Sequence, residues 1–145
     1  MNEAHISECY DFLSMYSVNP FKISEWKRTL EGENFDPDEY DSLLLYFAVN
    51  LSTDNLSFSY QNNVPKFLSE LKNAVYDRLI DQRFRGKIDI FAQFGSAFVA
   101  STITNATPDK SAILTAFITL ILLEVSKMGL EAWCSYYEKS RTRTK

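Results

Sequence analysis

Histidine and cysteine, which often serve as general bases, nucleophiles and metal ligands, are scarce in this chain, which has one histidine and two cysteines. His5 and Cys9 are spaced to lie one turn apart on a helix, while Cys134 is remote in the sequence. A catalytic cysteine also needs an orienting acid and an oxyanion hole, and a structural zinc site needs a full tetrahedral ligand set. Nothing beside His5 and Cys9 supplies these groups, so we interpret them as a solvated histidine beside a core cysteine.

Other catalytic signatures are also missing from the sequence. It has no glycine-rich phosphate loop, no paired-carboxylate motif and no nucleophile elbow. We therefore predict a binding protein rather than an enzyme, with no catalytic residues, no metal and no cofactor. A net charge of −4 does not indicate the basic surface that binds nucleic acid. The basic run at 139–145 is explained as a flexible, solvated tail.

The composition favours one helical domain. The chain has 145 residues, of which 46% are hydrophobic, with only four glycines and four prolines. Few turn-forming residues and many long apolar side chains predict about seven helices in an all-α bundle occupying residues 1–138. The remote cysteines are typical of a reduced intracellular protein.

Local signals place several helices. Asn19-Pro20 ends a first helix, a second ends near Gly32, and Asp36 caps a third over 37–51 with Pro37 at its first position. An amphipathic helix follows Pro65. Two strongly apolar helices, at about 86–104 and 111–138, then form a central hairpin.

A membrane location for this hairpin is disfavoured by its polarity and length. Residues 90–108 carry no formal charge but contain many polar side chains, and the uncharged stretch 111–123 is shorter than the ~20 residues that span a bilayer. We therefore expect the hairpin to be buried in protein. With no apolar stretch after Glu138, we expect no transmembrane anchor.

The first helix of the hairpin contains a notch of small residues. Residues 95–97 are Gly-Ser-Ala, flanked by Phe91, Phe94 and Phe98. Because glycine inside a helix costs about 1 kcal/mol relative to alanine, its presence needs a steric reason. Close packing of another helix, from this chain or from a partner, supplies one.

The stretch "RGKIDIFAQFGSAF" resembles the first homology region of the Bcl-2 family. Five residues fall on that region's pattern: Gly86, Ile88, Phe91, Phe94 and Gly95. Lys87 takes the place of its arginine. Farther along, "LEAWCSYY" resembles the start of the second homology region, with Trp133 on its tryptophan. The resemblance covers roughly residues 37–138.

The chain departs from the family pattern in ways that resemble divergent viral members. Phe84-Arg85 replaces the usual Asn-Trp, Asp89 occupies an apolar position, and the Gly-Gly-Trp ending of the second region is absent. Lys87 can still pair with a carboxylate, although only as a point charge.

The resemblance implies a surface groove that binds the amphipathic BH3 helix of pro-apoptotic Bcl-2 proteins. The groove residues it predicts are Leu44, Phe47, Ala48, Leu51, Val75, Leu79, Arg85, Gly86, Lys87, Ile90 and Phe94. Lys87 would meet the ligand's aspartate, with Arg85 as a substitute. Each apolar anchor contributes about 1.5–3 kcal/mol and an exposed ion pair about 0–1 kcal/mol, so the apolar pockets set the affinity.

An apoptosis inhibitor is the function that this resemblance implies, cytoplasmic in the host cell or peripheral at mitochondria. The helix at 37–51 has Val49 where a killer protein's own BH3 segment needs aspartate, which favours sequestration over killing. One alternative is a Bcl-2-type scaffold with a closed groove, acting on innate-immune signalling proteins and in some cases as a homodimer. Another is a helical bundle unrelated to cell death.

Overall fold

The computed structural model describes residues 3–15, 19–51, 64–84 and 108–143, and within these ranges it has six α-helices and no strand. In chain order they are α1 (Glu3–Met15), α2 (Pro20–Glu31), α3 (Pro37–Leu51), α4 (Val64–Leu79), α5 (Pro108–Met128) and α6 (Leu130–Arg143). A short 3₁₀ turn, Ile80–Gln82, follows α4 directly. The described part of the chain is all-α, as the composition predicts.

The starts of α2 and α3 use the same local device. The Asn19 side chain accepts a hydrogen bond from the Phe21 N–H at 2.9 Å, and Asp36 Oδ1 accepts one from the Asp38 N–H at 3.0 Å. In each helix a proline occupies the first turn, where its missing N–H has no consequence. The predicted cap at Asp36 is confirmed. Asn19, which was predicted only to end the preceding helix, is the N-cap of α2.

Helix α5 forms the centre of the described structure and contacts each of the other five helices. Its side chains from Ala116 to Val125 are buried, apart from half-buried Thr119. The other helices cover it with their apolar faces, so one continuous core forms. No helix in the four described ranges is long and apolar enough to cross a membrane.

Tyr40 links α2 and α3 to the central helix α5 through hydrogen bonds. Its side chain is fully buried, and its hydroxyl donates a hydrogen bond to the Leu120 carbonyl of α5 at 2.5 Å. The same hydroxyl accepts one from Trp26 Nε1–H of α2 at 3.3 Å. Burial of the hydroxyl raises the pKa of Tyr40 well above its usual value.

The predicted single helix over 111–138 is wrong, because the chain breaks at Gly129. This residue has φ of 90°, a left-handed conformation that glycine adopts without a Cβ penalty. Its N–H donates to the Val125 carbonyl at 2.8 Å, which closes α5, and its carbonyl accepts from Trp133 N–H at 2.9 Å. The second arm of the expected hairpin is therefore two helices. The first arm, about 86–104, lies outside the described residues.

The expected flexible tail at 139–145 is helical as far as Arg143, where α6 ends, and residues 144–145 lie outside the described residues. The Arg141 guanidinium lies 5.3 Å from the ring centre of Tyr76 and 5.4 Å from that of Tyr137. These cation–π contacts hold the end of the helix against α4.

Candidate functional site

The described groove residues lie in the protein core. Leu44, Phe47 and Ala48 on α3, with Val75 and Leu79 on α4, each have 0% exposure. Their side chains are therefore covered by protein rather than by solvent. The predicted groove itself stays a prediction.

The remaining groove residues have no described side-chain position. Leu51 is the last residue of α3, and nothing is described of its side chain. Five predicted site residues lie outside the described ranges: Arg85, Gly86, Lys87, Ile90 and Phe94.

Trp133, the residue placed on the family's tryptophan, links α6 to the central helix. It is 1% exposed, and its Nε1–H donates a hydrogen bond to Glu124 Oε1 at 2.9 Å. Its ring stacks on that of Tyr137 with 5.5 Å between centroids and 9° between planes. The contact with Glu124 leads to a polar cluster that the sequence did not reveal.

This carboxyl cluster consists of Asp41, Lys72, Glu124 and Tyr136, contributed by α3, α4, α5 and α6. Lys72 Nζ lies 2.8 Å from Asp41 Oδ1 in an ion pair whose side chains are 17% and 23% exposed. The Tyr136 hydroxyl donates to Asp41 Oδ2 at 2.8 Å and lies as close to Asp38 Oδ1. Desolvation by burial, followed by the Asp41 charge, raises the pKa of Tyr136.

The surroundings of Glu124 favour the protonated form of its carboxyl. Its side chain is 0% exposed, and burial and the charge of Asp41 raise the pKa of its carboxyl well above the usual 4.5. Glu124 Oε2 and Asp41 Oδ1 are both buried without a hydrogen-bond donor, apart from the Lys72 ammonium in its ion pair with Asp41. A proton on one of the two carboxyls would supply the donor that these buried oxygens lack.

A pocket of about 240 Å³ opens over the carboxyl cluster between α3, α4 and α6. Its walls are mostly apolar and include Leu45, Leu68 and the aromatic side chains of Trp133 and Tyr137. Apolar walls with a few converging polar groups are typical of a small binding site. The arrangement can bind and orient a ligand, and within the described residues no group of acids, cysteines and histidines could hold a metal ion.

A second polar cluster joins the 3₁₀ turn to α6. Arg83 Nη1 donates to both carboxylate oxygens of Glu138 at 3.1 Å, and Arg83 Nη2 donates to Ser135 Oγ at 2.9 Å. The Tyr76 hydroxyl donates to the same carboxylate. Hydrogen bonding from Tyr76, then from Arg83, lowers the pKa of Glu138. The cluster positions the chain immediately before Arg85.

The cysteines are not poised for chemistry. Cys9 is buried, and desolvation raises the pKa of its thiol to about 12. Burial also raises the pKa of the Cys134 thiol. His5 Nδ1 lies 3.8 Å from Glu8 Oε2 on the outer side of α1. Because the thiolate is the nucleophile, the core position of Cys9 agrees with our interpretation of this pair.

Comparisons of the chain with protein-family models, curated proteins and solved structures found no match.

Proposed function

We propose that the chain is an apoptosis inhibitor that sequesters the BH3 helices of pro-apoptotic Bcl-2 proteins. The observation that supports this most is the central position of α5, an apolar helix covered by five amphipathic ones. A BH3-binding bundle needs such a central element, because the helices that form the groove pack against it. Trp133, which falls on the family's tryptophan in the sequence resemblance, follows the Gly129 break and donates a hydrogen bond to Glu124 of α5.

In this proposal α3 and α4 supply the apolar walls and Lys87 supplies the charge that fixes the register of the ligand. Since Leu44, Phe47 and Leu79 are fully buried, a BH3 helix reaches them only if the parts of the protein that cover them, such as α3 and α4, move apart. The two helices contact each other directly, so opening has a free-energy cost that reduces the apparent affinity. The protein would act in the cytoplasm or at the surface of mitochondria.

Calorimetric titration with a panel of BH3 peptides tests the proposal. Replacing Phe47 by glutamate is unsuitable, because a charge at a fully buried position would unfold the protein. A charge exchange at Lys87 avoids this difficulty. Lys87→Glu should weaken binding, and a peptide with lysine in place of its aspartate should restore it.

Lys139→Glu is the matched control, because Lys139 is exposed on α6 and its replacement changes the net charge by the same amount. It should leave binding within about twofold of the unmodified chain. If Lys139→Glu weakens binding as much as Lys87→Glu, the ligand senses only the overall charge and the assigned register is wrong.

A second candidate function is supported by the burial of the predicted groove residues. A Bcl-2-type scaffold with a closed groove would keep the predicted groove residues in the core, as Phe47 and Val75 are here, and would bind innate-immune signalling proteins through outer faces. Val49, 51% exposed on α3, offers a probe of such a face. In this case Val49→Glu should disrupt a partner complex or a homodimer, as measured by sedimentation, and BH3 peptides should not bind.

A further inference from the structure

The pocket between α3, α4 and α6 is separate from the predicted BH3 groove, since none of the described groove residues lines it. Its volume is about 240 Å³. A buried apolar cavity of about 150 Å³ holds one benzene ring, and sites for drug-sized ligands measure roughly 300–1,000 Å³. The pocket therefore has room for one compact ring system.

The walls of the pocket favour an aromatic ligand. Three helices contribute apolar and aromatic side chains: Leu45 of α3, Pro65 and Leu68 of α4, and Trp133 and Tyr137 of α6. The rings of Trp133 and Tyr137 are nearly parallel, with 9° between their planes, so the shape of this wall is fixed by their stacking. An aromatic ligand gains from offset or edge-to-face contact with such rings, in addition to the apolar area it buries.

The acids of the lining already interact with other protein groups. Asp41 forms the 2.8 Å ion pair with Lys72 and accepts a hydrogen bond from the Tyr136 hydroxyl. Glu124 accepts one from Trp133 Nε1–H. The oxygens Asp41 Oδ1 and Glu124 Oε2 lack a hydrogen-bond donor but are covered by protein atoms, so a ligand in the pocket does not reach them. A cationic ligand therefore finds no accessible acid without displacing Lys72.

The Arg141 guanidinium, at the edge of the pocket, is also engaged. It lies over the rings of Tyr76 and Tyr137, and its Nη1 is 3.5 Å from Asn73 Oδ1. An anionic ligand would have to break these contacts or the ion pair of Lys72, or leave its own charge unpaired against apolar walls. Each of these costs free energy, which an uncharged ligand avoids.

We propose that this pocket binds a compact uncharged aromatic molecule of one or two fused rings, placed against Leu45, Leu68 and Trp133. Burial of the apolar surface of the ligand and of the pocket drives the binding, which requires no ionic partner. The inference does not depend on BH3 binding, because it uses other residues and another class of ligand.

The test is a titration of the ¹⁵N-labelled chain with indole, followed through the Nε1–H resonances of its two tryptophans. The Trp133 resonance should shift saturably at roughly millimolar concentration, as suits so small a ligand. Trp26, whose Nε1–H donates to Tyr40 and which does not line the pocket, should not shift. No saturable shift of Trp133, or equal shifts of both resonances, would overturn the proposal.

Two charged analogues with the same ring system test whether the pocket offers an ionic partner. Indole-3-acetate carries a negative charge at neutral pH, and tryptamine carries a positive one. Each should bind no more tightly than indole, because the charged groups of the lining are engaged. An affinity for either analogue that is about tenfold higher than for indole would reveal such a partner and overturn the proposal.

Three variants locate the binding. Ser69→Phe places a ring into the pocket from an exposed position on α4 and should weaken indole binding by about tenfold or more. Leu45→Ala removes a wall contact at a position that is 38% exposed and should weaken it severalfold. Ser42→Phe, at an exposed position of α3 outside the lining, is the matched control and should leave the affinity within about twofold. Unchanged affinity in Ser69→Phe or Leu45→Ala, in samples whose circular dichroism matches the original, would place the ligand elsewhere and overturn the proposal.

Discussion

Replacing Glu124 by glutamine should change the pH dependence of stability in a way that reports the buried proton. Glutamine reproduces the protonated acid, since its carbonyl accepts from Trp133 Nε1–H and its NH₂ group donates to Asp41. The side chain is fully buried, so the exchange is nearly isosteric and removes a titrating group from the core.

The sign follows from the raised pKa of Glu124. Between the unfolded value near 4.5 and the higher folded value, the native state holds a proton that the unfolded state releases. The unmodified chain therefore loses stability relative to Glu124→Gln as pH rises through this window, by about 1.4 kcal/mol for each pH unit. Below the unfolded pKa the difference is constant, and above the folded pKa it is constant again.

Urea denaturation followed by circular dichroism at several pH values measures this difference directly. Glu131→Gln, an exposed position on α6, is the matched control and should differ from the unmodified chain by less than about 0.5 kcal/mol at every pH. Titrating groups that do not interact with Glu124 cancel in the comparison because the chains share them. Stability curves of the unmodified chain and Glu124→Gln that stay parallel from pH 4 to 8 would refute a protonated Glu124.

Three further predictions concern the packing of the helices. Tyr40→Phe should lower the free energy of unfolding by about 1–3 kcal/mol, because it leaves the buried Trp26 Nε1–H without an acceptor. Urea denaturation measures this loss, and a change below about 0.5 kcal/mol would contradict the role of the hydroxyl. Gly129→Ala should lower the free energy of unfolding by about 1 kcal/mol through the positive φ alone, since an added Cβ meets no atom within 4 Å. Gly129→Asn should lower it by less, because asparagine tolerates a left-handed conformation better than alanine. Equal thermal stability of the unmodified chain and both variants would contradict the left-handed break. Cys9 and Cys134 should resist a thiol reagent at neutral pH until the chain is unfolded by denaturant, and rapid labelling of the native protein would show that the thiols are not buried.

The sequence alone predicted those features of the fold that depend on residues close together in the chain. Asp36-Pro37 predicts the start of α3 because capping involves neighbouring residues, and the apolar density of 111–126 predicts a buried helix. The break at Gly129 was missed, since amphipathic spacing continues on both sides of it. A single glycine inside such a pattern is compatible with either a continuous or an interrupted helix.

The carboxyl cluster was not predicted because its members are brought together only by tertiary packing. Asp41, Lys72 and Tyr136 resemble ordinary surface residues of amphipathic helices when each is considered alone. Glu124 gave a usable signal, since it is the one formal charge between residues 111 and 126. Buried acids need partners, and an acid inside an apolar run indicates that partners exist without naming them.

The groove prediction has a related physical limit. Positions such as Phe47 and Val75 follow the helical period of an apolar face, and this pattern is the same for a core and for a groove. Which of the two forms depends on how far α3 and α4 stand apart, and that distance is set by the whole bundle.

The central claim, that this bundle binds BH3 helices, is tested most directly by titrating the folded chain with BH3 peptides in a calorimeter. The proposal predicts saturable binding at a ratio of one to one, micromolar or tighter for at least one peptide, and weakened when the peptide's aspartate is replaced by alanine. A sample that is helical by circular dichroism and unfolds cooperatively, yet binds no peptide in the panel, would contradict the proposal and favour the closed-groove scaffold.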